Sequence, residues 1–136
     1  MPKAEYILIV EDNSGDAALL RQSLREHGVK MDIVFLTDGE RAMQLIDEVD
    51  SGIRPCPSLV VLDLNLPRRT GAEVLRKIRG SASCRTVPVA ICSSSDAAKD
   101  REEAAQLGAN RYIRKPSNVE EFLRIGAALK SLLESR

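Results

Sequence analysis

Five short apolar runs alternating with five amphipathic stretches constrain this chain more than any other feature. The runs are Tyr6–Val10, Asp32–Leu36, Leu59–Leu62, Val87–Cys92 and Arg111–Arg114. Each is too short for a buried helix, and the first four are rich in branched side chains. They predict strands, the continuously apolar ones being covered on both faces. The stretches between carry helix punctuation. Asn13-Ser14 caps a helix through His27, with Ala17, Leu20 and Leu24 on its apolar face and Gly28 as its stop. Asp38 caps a second helix to about Asp50, with Ala42, Leu45, Ile46 and Val49 inward. A third follows Thr70-Gly71 to about Arg79. A fourth is capped by Asp96 and ends at Gly108, and a fifth runs from about Asn118 towards the C-terminus. Strict strand–helix alternation predicts an α/β fold, a doubly wound five-stranded parallel sheet ordered 2-1-3-4-5 with five helices.

Bulk properties narrow the function classes. The 136 residues suit one domain, taken as 1–136 with no output domain after it. Lys+Arg 20 against Asp+Glu 20 leaves no net charge, which argues against nucleic acid or a membrane surface as the main partner. No run approaches membrane-spanning length, and no apolar leader follows a basic head. Three cysteines without a C-x-x-C spacing predict reduced thiols in a cytoplasmic protein. Cys92 falls in a strand and reads as core, while Cys56 and Cys84 fall in loops with no assignable role. His27, the single histidine, reads as a solvated residue favoured by the helix dipole.

The chemistry lies where the strands end. In a parallel sheet the carboxyl ends share one edge, and open α/β proteins bind there. The first strand runs into Glu11-Asp12, the third into Asp63, the fourth into Ser93-Ser94-Ser95 and the last into Lys115-Pro116. Three clustered carboxylates repel one another unless a cation joins them. Mg²⁺ suits them, being hard, oxygen-seeking and slow to give up its water. Lys115 offers a point charge to a phosphoryl oxygen.

This set resembles the receiver domain of two-component response regulators over essentially the whole chain. The stretch Val61-Leu62-Asp63-Leu64-Asn65-Leu66-Pro67 followed by Gly71 carries the resemblance most specifically. Glu11-Asp12-Asn13, the Asn-Leu-Pro-Arg-Arg loop and the Pro-rich loop before Asp63 look most like stand-alone receivers serving phytochrome-type sensor kinases. The resemblance implies a flavodoxin-like fold and a signalling protein rather than an enzyme, with only self-phosphorylation and autodephosphorylation of its own. Asp63 is then the phosphoacceptor, taking phosphate from a phosphohistidine of a sensor histidine kinase. Asp12 and Asp63 would ligate Mg²⁺ directly, with the Asn65 carbonyl as a further ligand and Glu11 acting mainly through metal-bound water. Lys115 would offset charge, Ser93 would swing to the phosphoryl group, and Tyr112 would follow inward. A histidine phosphotransfer protein is a possible downstream partner. The switch hydroxyl is Ser93 where threonine is commoner, and Ser117 stands where an apolar residue is frequent.

Three alternatives fare worse. A Mg²⁺-dependent aspartyl phosphatase wants a second aspartate where this chain has Asn65, and a pseudo-receiver would not keep every charged site residue. A flavodoxin-like cofactor binder would need a hydroxyl-rich loop where Glu11-Asp12 stands. Arg68-Arg69 reads as solvated. In the fifth helix, Val119, Phe122, Leu123, Gly126, Leu129 and Leu133 form the stripe expected to face the sheet, with Ile125, Ala128 and Leu132 on the solvent side as a homodimer or partner surface.

Overall fold

Each expected strand forms in the computed structural model, which describes residues 5–136. In chain order the elements are β1 (Tyr6–Val10), α1 (Ser14–Glu26), β2 (Asp32–Leu36), α2 (Gly39–Asp50), β3 (Leu59–Leu62), α3 (Gly71–Arg79), β4 (Val89–Ser93), α4 (Ala98–Gln106), β5 (Arg111–Arg114), α5 (Val119–Phe122) and α6 (Ile125–Glu134). The strands make one sheet in the order β2-β1-β3-β4-β5, every pair parallel.

Side-chain alternation along the strands divides the core into two layers. Leu8, Val10, Val60, Leu62, Val89 and Ile91 pack with α2, α3 and Ala104 of α4. Ile7, Ile9, Leu59, Val61, Ala90 and Cys92 pack with Leu20 and Leu24 of α1 and with Phe122, Leu129 and Leu133. Both faces of β1, β3 and β4 are therefore buried, which is why these strands read as unbroken apolar runs. The expected caps on Asn13, Asp38, Thr70 and Asn118 all accept a hydrogen bond from an N–H three residues on. Gly28 and Gly108 end α1 and α4 at φ +79° and +94°.

Three expectations change. Asp96 does not cap α4: Ala97 holds that position with no side-chain hydrogen bond, and Asp96 instead pairs with Arg101 at 3.1 Å and Arg114 at 3.5 Å. Cys56 and Cys84 are not free thiols but a disulfide across 28 residues, joining the loop before β3 to the loop after α3. Spacing in sequence carried no sign of it, because the sheet brings the two loops together. Cys92 is buried and free, as expected, and burial pushes its thiol up to about 12. Arg69 is exposed, as expected, and at the surface bridges Glu40 and Glu73 at 3.2 Å each.

The third change concerns the last helix, which slackens at Leu123-Arg124 into two segments. Gly126 sits so close to α1 that a Cβ there would lie 2.4 Å from the Ser23 carbonyl oxygen and 2.6 Å from His27 Nδ1. The buried Ser23 hydroxyl donates to the Leu123 carbonyl and accepts from the Gly126 N–H at 2.6 Å. This seam turns Ile125 into the core, 5% exposed, and leaves Val119 57% exposed. Ile125 is thus a core residue and not part of a surface patch; Ala128 and Leu132 are half-buried. His27 belongs to the same seam, its Nδ1 2.8 Å from the Ser23 carbonyl.

Candidate functional site

Parallel register assembles the site. Val10 pairs with Leu62, Leu62 with Ile91, and Ser93 with Arg114, so the residues following β1, β3 and β5 emerge on one sheet edge with Ser93. Backbone hydrogen bonds then pin each functional residue. The Asp63 N–H donates to Val10 O at 3.1 Å, that of Glu11 to Leu36 O at 2.9 Å, and that of Lys115 to Ser93 O at 2.7 Å. Beneath Asp63, Gly71 starts α3 with its N–H on the Leu64 carbonyl. A Cβ on Gly71 would lie 2.2 Å from the Asp63 carbonyl oxygen.

Lys115 is the hub. Its ammonium lies 2.8 Å from Asp63 Oδ2, 2.7 Å from Glu11 Oε1 and 2.9 Å from Asp16 Oδ2. An ammonium has three N–H donors, so the three carboxylates saturate it. The remaining Asp63 oxygen, Oδ1, accepts the Asn65 N–H at 3.0 Å, and Glu11 Oε2 accepts the Asn13 N–H at 3.2 Å. Asp63 and Glu11 are buried, while Asp12 and Asn65 are exposed. One oxygen from each of Glu11, Asp12 and Asp63 falls within 4.8 Å of the others. These are all hard donors, and their charge exceeds what one lysine offsets, so the residues fit a divalent cation.

The electrostatics agree with that surplus. Burial pushes Glu11 up to about 7, against the hydrogen bonds from Lys115 and the Asn13 N–H; the charge of Asp63 adds to the rise. For Lys115, burial opposes the charge, but hydrogen bonds to Asp63, Glu11 and Asp16 outweigh it and hold the lysine above its ordinary value.

Ser93 and Tyr112 lie beside the hub. Ser93 is wholly buried, its hydroxyl accepting the Ser95 N–H at 3.2 Å. The half-buried Tyr112 donates its hydroxyl to the Ser95 carbonyl at 3.0 Å, with the Arg101 guanidinium 4.6 Å over its ring. Tyr112, Arg101, Asp96 and Arg114 thereby join α4 to β5. The Lys115–Pro116 peptide, whose isomer the sequence leaves open, is trans, there being no cis bond among the described residues.

Sequence reasoning missed Asp16. It sits in the first turn of α1, its N–H held by the Asn13 side chain at 3.0 Å, and nothing in its spacing points to Lys115, 99 positions away in the chain. It also missed the link from the Ser95 hydroxyl to Asp100, which supports the α4 end that Asp96 leaves uncapped.

Comparison with known proteins gives a consistent answer. The response regulator receiver domain family matches residues 7–125. Response regulator Rcp1 of Synechocystis sp. is 29% identical over 128 residues, covering 93% of this chain and 87% of that protein. A crystal structure of the Mn(2+)-bound form of Rcp1 superposes with a TM-score of 0.84 at 30% identity, over 96% of this chain and 93% of that one. The phosphorylated cyanobacterial phytochrome response regulator RcpA does so with a TM-score of 0.85 at 30% identity, over 98% and 96%. No helix among the described residues is long and apolar enough to cross a membrane.

Proposed function

The chain belongs to the response regulator receiver family of two-component signalling, and from that premise we propose that Asp63 is its phosphoacceptor, charged by a sensor histidine kinase. The observation that carries this is the buried Asp63 carboxylate, ending a central strand and held 2.8 Å from Lys115. An Asp63 oxygen attacks the phosphorus of a phosphohistidine, and a P–O bond forms as the P–N bond breaks. The electron pair of the broken bond stays with the imidazole, which takes a proton from solvent. The product is an acyl phosphate. Positioning and charge stabilisation supply most of the catalysis in such a transfer. Lys115 provides a fixed positive charge on one side. Glu11, Asp12 and Asp63, with the Asn65 carbonyl, would hold Mg²⁺, which when bound neutralises charge on the transferring group. The Mn²⁺-bound relative supports a divalent ion at such a site.

Phosphorylation then acts through Ser93 and Tyr112. Ser93 gives up its turn contact with Ser95 for a phosphoryl oxygen, and Tyr112, released from the Ser95 carbonyl, repacks inward. This shifts the balance between two packings of the α4–β5–α5 face. The donor is a phytochrome-type kinase, supported by the similarity to RcpA, a cyanobacterial phytochrome response regulator; the receiver works beside it in the cytoplasm. Output is by protein contact, through a homodimer or relay to a histidine phosphotransfer protein. With Ile125 in the core, the self-associating face retains Ala128 and Leu132.

Incubation with acetyl phosphate and Mg²⁺ should add one alkali-labile phosphoryl group per chain. Asp63→Asn should abolish it. Stable label on Ser93 or His27 in peptide mass spectra would overturn the assignment.

A further inference from the structure

Among the three carboxylates on Lys115, Asp16 differs in one respect. Glu11 and Asp63 also belong to the acidic trio that would hold the cation, and Asp63 is the group to be phosphorylated. Each has another use for its oxygens during the transfer. Asp16 has none: it lies outside the trio, on a different element, and its Oδ2 meets Lys115 at 2.9 Å. Its own position is set locally, because Asn13 caps α1 through the Asp16 N–H.

We propose that Asp16 is a positioning residue for Lys115, holding the ammonium over Asp63 while Glu11 and Asp63 turn to the cation and the phosphoryl group. The inference rests on Asp63 being the acceptor. Lysine carries a flexible four-carbon stem, so its value as an electrostatic partner depends on what restrains it. The Lys115 side chain is 11% exposed and Asp16 24%, so water competes little for the pair. Asp16 is thus the partner that can persist through the cycle, and it also ties the end of β5 to the first turn of α1.

A double-mutant cycle isolates this role. The chain has no tryptophan, so labelling by acetyl phosphate at saturating Mg²⁺ is followed by quenched intact-mass spectrometry. Asp16→Ala should slow labelling roughly three- to tenfold, the loss expected from freeing one long side chain. Asp16→Glu, restoring a carboxylate, should recover most of it, and Mg²⁺ affinity should stay within about twofold of wild type because Asp16 is not in the acidic trio. In a Lys115→Ala background the same Asp16→Ala change should cost nothing more. Asp16→Asn, nearly isosteric, serves if the alanine variant does not fold. The proposal is overturned by unchanged or faster labelling, by no recovery with glutamate, by a matching loss of Mg²⁺ affinity, or by equal slowing without Lys115. Failure of the acceptor assignment looks different: wild type would take no label, or Asp63→Asn would still take it.

Discussion

Gly71→Ala tests how tightly fold and site are joined. The added Cβ would lie 2.2 Å from the Asp63 carbonyl oxygen and 2.8 Å from Leu64 Cα. Ordinary contacts begin near about 3.4 Å, so one backbone must move by roughly 1 Å. Neither can yield like a flexible side chain, because Asp63 N–H is bonded to Val10 O and Gly71 N–H to Leu64 O. Overpacking of this kind costs about 1–3 kcal/mol, and loss of the Gly71–Leu64 hydrogen bond adds about 1 kcal/mol. The sum, about 2–4 kcal/mol, corresponds to a fall in Tm of about 8–16 °C for a chain of this length. Urea unfolding followed by circular dichroism measures it, with an unchanged slope as the check on two-state behaviour. Displacing Asp63 by about 1 Å also misplaces the acceptor, so labelling by acetyl phosphate should drop about a hundredfold. Gly52→Ala is the control. Gly52 has φ +79° with nothing within 4 Å of its added Cβ, so it should cost only about 1–2 kcal/mol of backbone strain and leave labelling intact. A Gly71→Ala protein within 0.5 kcal/mol of wild type (about one-quarter of the smallest expected loss) would refute the reasoning, as would labelling at the Gly52→Ala rate.

Asp12→Asn should remove most Mg²⁺ affinity because it neutralises the exposed member of the acidic trio; titration calorimetry with unchanged affinity would exclude the site. In EDTA the protein should lose stability as pH rises from 5 to 8. A carboxyl raised to about 7 in the fold contributes stability below its ordinary value of about 4.5, and that contribution fades as pH climbs through about 7. Thermal melts of wild type and Glu11→Gln should therefore diverge with pH, by up to about 3 kcal/mol; parallel curves would show that Glu11 does not titrate there. Reducing Cys56–Cys84, which closes 28 residues, should cost about 3–4 kcal/mol by loop entropy. Thiol counting in denaturant before reduction should find one group, Cys92, and finding three would disprove the bridge.

Much of this protein was legible in its residues alone. Strand identity follows from runs such as Tyr6–Val10 and Leu59–Leu62, since burial on both faces demands continuous apolar side chains. The shared edge follows from alternation, because parallel strands end on one side whatever their order, which is why Glu11, Asp12, Asp63 and Lys115 could be grouped from the residues alone. Helix starts at Asn13, Asp38 and Thr70 are local events, settled by a side chain and an amide three residues away. What the sequence left undetermined depends on distances between distant segments. Asp16 reaches Lys115 because the first turn of α1 faces the end of β5 across the sheet edge. Cys56 meets Cys84 because two loops leave the opposite edge side by side. Ile125 is buried because Gly126, having no side chain, lets its helix close on the Ser23 backbone, a rotation that helical periodicity cannot contain. Periodicity records which faces a chain can bury; only packing decides which neighbour each face meets and how closely.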